Sequence, residues 1–183
     1  MSEELIVRNC SPTLAGMKSA SMFSYKFSSP EELTCDLRAL NRKLVSKGLV
    51  FIPIRVKNDS ALIYVYRPSH LARDLACSEA RCILSEKGYE CDNLLKCLAK
   101  LRKKLTPSGD FPHEIGLFLG YPPHDVKGFI ENRAKKEKYT GIWKVYGDVK
   151  SAKRSFSKYR KCTDVYLNLL KRGKPLEHLA VSV

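Results

Sequence analysis

Two apolar runs, residues 49–56 (LVFIPIRV) and 61–67 (ALIYVYR), limit the possible folds more than anything else in this chain. Both are rich in β-branched and aromatic residues, which suit a pleated, half-buried surface. Between them lie only Lys57, Asn58, Asp59 and Ser60, four polar residues of turn-forming type. Strand, short polar turn, strand predicts an antiparallel β-hairpin. Pro53 cannot donate to a ladder, so it belongs on an edge or at a bulge. Residues 22–27 alternate apolar and polar side chains and supply a further strand. Residues 5–7 read as a short strand. The segment from Cys10 to Gly16 reads as a loop, with Pro12 and Gly16 as breakers.

A sheet that small must be covered by helices. Ser29 is placed to cap a helix in which Pro30 fills the first turn and Glu32 can close a capping box. Leu33, Leu37, Leu40 and Leu44 line one face of it, and Gly48 ends it. Ser69 starts a short helix through about Leu75, and Ser78 starts another through Lys87. Asp92 caps a third, with Leu94, Leu98, Leu101 and Leu105 on its apolar face. Residues 106–110 read as a loop, 141–146 as a strand, and 149–172 as a long final helix stopped by Gly173 and Pro175. The expected fold is α+β: a small, mainly antiparallel sheet containing a β-hairpin, with about five to six helices packed beside it. It is read as one domain over residues 1–183, with a basic helical second half from about residue 94.

Composition narrows the setting. Hydrophobic residues make up 44% of the chain, enough for a real core. No run of 18 apolar residues is present, so no membrane-spanning segment is expected. The opening MSEELIVRNC lacks the basic and apolar regions of a signal peptide. Seven cysteines, an odd count, point to free thiols in a reducing cytoplasm. The net charge of +14 is uneven: residues 1–93 hold 13 basic and 11 acidic side chains, residues 94–183 hold 20 and 8. Residues 133–161 alone hold 11 basic residues against Glu137 and Asp148. Such a field attracts nucleic acid, an acidic protein or an anionic ligand. Spread through amphipathic helices and not clustered with exposed aromatics, the pattern slightly favours a solvated face.

Residues 111–132 (FPHEIGLFLGYPPHDVKGFIEN) concentrate two of the four histidines, three of the nine prolines and three glycines. Residues 113–119 can make two helical turns, Gly120 a left-handed stop, and Pro123 the start of a helix through about Lys136, with Val126, Phe129 and Ile130 turned to the core. Helix, glycine turn, helix over residues 112–131 is also the layout of a helix-turn-helix. On that reading His124, Lys127, Arg133, Lys135 and Lys136 would meet nucleic acid. The exposed face is poor in the Arg, Asn and Gln that read base edges, and any packed helical hairpin shares the spacing.

Three stretches resemble a known family. Cys10-Ser-Pro-Thr-Leu-Ala-Gly with Lys18, Ala20 and Phe23 resembles the opening motif of a bacterial family filed as domain of unknown function 3793. Phe111-Pro-His-Glu-Ile-Gly-Leu-Phe-Leu-Gly-Tyr-Pro resembles its central signature, and Trp143-Lys-Val-Tyr-Gly-Asp with Cys162 its C-terminal one. The resemblance runs over nearly the whole chain. It implies an origin in anaerobic Firmicutes and no particular activity, but it singles out the Cys10 and His113 motifs.

Those motifs frame a candidate chemical site built from the Cys10 loop and residues 111–122. Cys10 would be a nucleophile or ligand and His113 a base or ligand. Glu114 or Asp125 would orient the imidazole. Lys18 would bind an anionic group, and Tyr121, Trp143 and Tyr146 would line a small-molecule pocket. Taken singly, Cys10 also fits a small buried hydrophobe and His113 a turn-bonding residue. The cysteine spacings match no zinc framework, there is no HExxH, and no P-loop or dinucleotide fingerprint appears, so no metal site is expected and the cofactor stays open. The runner-up readings are a basic nucleic-acid-binding or regulatory protein and an adaptor for an acidic protein partner.

Overall fold

The computed structural model describes residues 1–105 and 111–182, and the loop expected over 106–110 lies outside them. The chain divides into two compact units. One comprises Met1–His70 with Tyr159–Val183, the other Leu71–Lys158. The fold is α+β.

The first unit is built on a three-stranded antiparallel sheet ordered β1-β3-β2, with β1 Ala20–Lys26, β2 Val50–Lys57 and β3 Ser60–Tyr66. The hairpin is the one read from the sequence, and Asn58 takes the left-handed conformation in its turn (φ 51°). β2 lies at the sheet's edge, and its register shifts between Pro53 and Arg55. Pro53 therefore stands where a missing N–H does least harm. Helix α2, Pro30–Leu44, starts as expected: Ser29 Oγ accepts the Glu32 N–H at 3.2 Å, and Leu33, Leu37, Leu40 and Leu44 are buried.

The N-terminal segment corrects the expected strand and loop. Residues Glu3–Leu14 form one helix, α1, with Pro12 inside it. Ser2 Oγ accepts from Leu5 N, and Glu3 and Glu4 favour the positive end of the helix dipole. Ile6, Cys10 and Leu14 fall four residues apart and are fully buried. That burial outweighs the single hydrogen bond that Pro12 cannot make. The turn that follows closes with Met17 N bonding to Pro12 O at 2.8 Å, and Gly16 is left-handed (φ 71°).

Arg67 ties this unit together. Its guanidinium is buried and donates to four backbone carbonyls, Thr13 O (2.7 Å), Leu14 O (2.7 Å), Lys47 O (2.9 Å) and Val181 O (2.7 Å). Thr13 and Leu14 are the last residues of α1, where carbonyls lack helical partners and the dipole is negative. A cation there satisfies both demands.

The second unit is mostly helical: α3 Pro68–Ala76 (which begins in the first unit), α4 Ser78–Glu86, α5 Leu94–Lys104, α6 Ile115–Phe118 and α7 Pro123–Glu131. The cap of α5 is Asn93, one residue beyond the expected Asp92. Two helices are shorter than expected. α6 is a single turn, and α7 stops at Glu131 because Arg133 and Ala134 turn left-handed (φ 49° and 60°). The strand expected over 141–146 is instead a tiny hairpin, β4 Tyr139–Thr140 against β5 Lys144–Val145. The long helix α8, Val149–Lys171, is entered through Asp148, whose Oδ1 accepts Lys150 N (2.8 Å) and Ser151 N (3.1 Å). A last turn, α9 Leu176–Leu179, packs in the first unit's core and had no counterpart in the sequence reading. Among the described residues no helix is long and apolar enough to cross a membrane.

Candidate functional site

The second unit contains a cavity of about 390 Å³ whose walls come from the central motif and the small β4–β5 hairpin. Gly116 makes the first wall possible. A Cβ there would sit 2.8 Å from Val126 Cγ2 and 3.2 Å from Tyr121 Cδ2, so only glycine lets α6 approach α7 so closely. Gly120 (φ 69°) reverses the chain, and Tyr121 N closes the turn on Gly116 O at 2.9 Å. Gly128 does the same for the hairpin, since a Cβ there would lie 2.5 Å from Tyr146 Cβ and Cγ.

The buried carboxylate of Asp125 joins the two walls. It accepts the indole N–H of Trp143 (2.7 Å) and the backbone N–H groups of Tyr146 and Gly147 (2.8 Å each). Tyr121 stacks on Trp143 with centroids 4.9 Å apart, and Trp143 meets the edge of Phe156 at 4.4 Å. On the other side His113 lies edge-on to Phe129 at 5.1 Å and near Phe111 at 6.1 Å. Phe111 is 54% exposed, unusual for a phenylalanine next to a cavity. The lining thus combines five rings with the aliphatic side chains of Ile115, Val126 and Ile142. Its lysine, Lys144, is already engaged by Glu137 Oε1 (2.8 Å) and Ala134 O (2.7 Å).

Of the residues singled out from sequence, His113, Tyr121 and Trp143 line this cavity, as does Asp125. Tyr146 is not among the lining residues. Its backbone bonds Asp125, and its buried hydroxyl has no partner among the described residues. Glu114 points elsewhere. It is buried, accepting from Lys104 Nζ (2.6 Å) and the Tyr89 hydroxyl (3.0 Å). Burial alone would raise its pKa, but the bond and charge of Lys104, a backbone N–H and the Tyr89 bond hold it below the usual carboxylate value.

Cys10 and Lys18 belong to the first unit, His113 and Glu114 to the second. The exposed loop expected around Cys10 is replaced by helix α1, with the thiol fully buried. Burial pushes its pKa up to about 12, only partly countered by Lys18. An activated thiolate needs the opposite shift. Lys18 loses hydration in the same place, and its ammonium pKa falls to about 8.

His124, Lys127, Arg133, Lys135 and Lys136 are all exposed. His124 and Lys127 border a second groove, of about 510 Å³, between α7 and α4, with Cys82, Glu79 and Glu86 on its other side. All seven cysteines are free. Among the described residues no group of three or more His, Cys, Asp or Glu side chains is placed to hold a metal ion.

Sequence reasoning missed the rings at the cavity's mouth. Phe111 was read only as part of a motif, and Phe129 as core. Their shared signal was the density of aromatic residues around His113.

Among curated proteins and among solved structures, nothing matches this chain. One family model does, that described as "Protein of unknown function (DUF3793)", and it covers residues 6–180. With nearly its whole length matched, the chain belongs to this family of unknown function, DUF3793.

Proposed function

We propose that the protein binds a small molecule in the aromatic cavity of its second unit. The observation that carries this reading is a cavity of about 390 Å³ walled by Trp143, Tyr121, Phe129, His113 and the exposed Phe111. That volume lies in the range of small-molecule sites, which are mostly apolar with a few oriented polar groups. The His113 imidazole lines the space as well, whereas Asp125 and Lys144 are spent on the walls. The setting we propose is the reducing cytoplasm, which the free cysteines support.

Trp143 is the sole tryptophan, so its fluorescence reports on this cavity alone. A screen of planar aromatic fragments should yield saturable changes in its emission that weaken in Phe129→Ala. If no fragment perturbs Trp143 saturably, the reading is wrong.

A second reading, contact of the basic second half with nucleic acid or an acidic protein, is favoured by α8. Lys150, Lys153, Arg154 and Lys158 are exposed and recur at helical spacing on one side of it. Affinity for duplex DNA that falls steeply with salt, whatever its sequence, would support it; salt-insensitive binding would not.

A further inference from the structure

We propose that the ligand of the aromatic cavity is a nucleobase carrying phosphate, the base held among the rings and the phosphate over residues 133–138. This rests on the reading of the cavity as a binding site, and specifies what enters it. The first argument is the nature of the lining. Two charged side chains of the lining already have partners, Asp125 three N–H donors and Lys144 the Glu137 carboxylate. The interior therefore selects a flat, uncharged group. Exposed Phe111, with His113 and Phe129 behind it, offers the π surface on which any base stacks.

The second argument is charge at the edge. Residues 133–144 hold five basic side chains, Arg133, Lys135, Lys136, Lys138 and Lys144, against one acid, Glu137. That acid is taken up by Lys144. Among the described residues, no carboxylate pairs with Arg133, Lys135, Lys136 or Lys138, and all four are exposed. Two wall residues fasten this segment to the cavity: Lys144 through Ala134 O and Glu137, and Thr140 through its hydroxyl bond to Glu137 (3.3 Å). Lys153 adds a further cation over the Tyr139 ring at 4.6 Å.

The third argument is backbone conformation. Arg133, Ala134 and Lys136 are all left-handed (φ 49°, 60° and 61°), though none is glycine. Each such residue is disfavoured, and they cluster where structures clamp ligands. An apolar ligand needs no such basic border, and the carboxylate side chains of an acidic peptide offer the cavity no flat ring. A base with its phosphate uses both. The same chemistry comes from a free nucleotide or from single-stranded nucleic acid.

The experiment titrates the full chain with adenosine, adenosine monophosphate, a deoxythymidine oligomer and polyglutamate, following Trp143 emission at low and high salt. We expect saturable changes with a phosphate-bearing probe, at least about tenfold tighter than adenosine and weakened by salt. Phe111→Ala, an exposed position, should cost about tenfold, the scale of one lost base stack. The double variant Lys135→Ala/Lys136→Ala should flatten the salt dependence and leave adenosine binding unchanged. An oligomer binding more tightly than the mononucleotide identifies single strands as the ligand, and the reverse identifies a free nucleotide. If planar neutral probes bind and phosphate adds nothing, this inference falls while the cavity reading stands. Polyglutamate binding with the same salt and lysine dependence overturns it as well. If no probe perturbs Trp143, both fail.

Discussion

The Asp125 carboxylate accepts the Trp143 indole N–H at 2.7 Å, joining a helix to a hairpin 18 residues further along the chain. The same carboxylate takes the N–H groups of Tyr146 and Gly147. One buried anion thus orients the ring that forms the cavity's wall and fixes the turn leading into α8. Buried donors left unpaired are costly, so this group organises the whole corner.

Asp125→Ala should therefore destabilise the protein by about 3 kcal/mol or more, since it strands three buried or half-buried donors. Asp125→Asn should cost less, about 1–2 kcal/mol, because the amide retains one acceptor oxygen. Urea denaturation would measure both, with Trp143 emission as the probe. An Asp125→Ala variant within about 0.5 kcal/mol of wild type would contradict the role assigned to this carboxylate.

Gly128 packs where a Cβ would stand 2.5 Å from the Tyr146 side chain. Gly128→Ala should lower stability by about 1–3 kcal/mol through overpacking and push the β4–β5 hairpin away from α7. Gly173 is a control of a different kind. A Cβ there meets nothing within 4 Å, but its φ of 81° strains any other residue, so alanine should cost about 1 kcal/mol. A Gly128→Ala variant within about 0.5 kcal/mol of wild type would mean that close packing at Gly128 is unimportant.

Arg67→Met preserves much of the side-chain length and removes the donors to all four carbonyls. We expect a loss of about 3–5 kcal/mol, as when one side of a buried charged network is deleted. Hydrogen exchange should show where the bonds went. The Val181 N–H, bonded to Leu14 O at 3.0 Å, should lose protection because Arg67 also holds the Val181 carbonyl. Unchanged protection there would separate the C-terminal segment from Arg67.

Cys10 should resist alkylation in the folded protein at pH 8, while the exposed Cys35, Cys77 and Cys82 react. Its thiol is fully buried and its pKa pushed up to about 12, so labelling has to await opening of α1. Mass spectrometry of a timed labelling series would test this. Native labelling of Cys10 as fast as Cys35 would restore it as a reactive thiol.

Glu114 gives the acid limb of the stability curve a sign. Its pKa in the folded state is depressed: burial alone would raise it, and Lys104, a backbone N–H and Tyr89 together more than compensate. A carboxylate of this kind contributes stability above its unfolded value of about 4.3, and that contribution is lost as pH falls through the folded pKa. Lys104→Met should raise the Glu114 pKa and move the start of acid unfolding to higher pH. Identical acid limbs in the two proteins would show that the ion pair does not contribute.

Local signals recovered much of the fold. Ser29 with Glu32, the leucines of α2, the turn at Asn58 and the stop at Gly173 each act within a few residues, and each appears where the pattern put it. The N-terminal segment departs from its local pattern, in which Pro12 reads as a breaker. Burial of Ile6, Cys10 and Leu14 on one helical face decides that segment, and a local reading weighs Pro12 without it. The cavity was half legible. His113, Tyr121 and Trp143 were singled out, whereas Phe111 and Phe129 looked like motif and core.

The sequence by itself determined the fold class, most element positions, the basic bias of the second half and the family, because periodicity, caps, charge and motif are properties of neighbouring residues. Only the tertiary structure decided what those residues touch. It buried Cys10, spent Glu114 on Lys104, gave Asp125 to Trp143, and opened a cavity with aromatic walls beside an exposed basic segment. Burial and hydrogen-bond pairing depend on residues far apart in the chain, such as Arg67 and Thr13, and no local pattern encodes which distant partner a side chain meets.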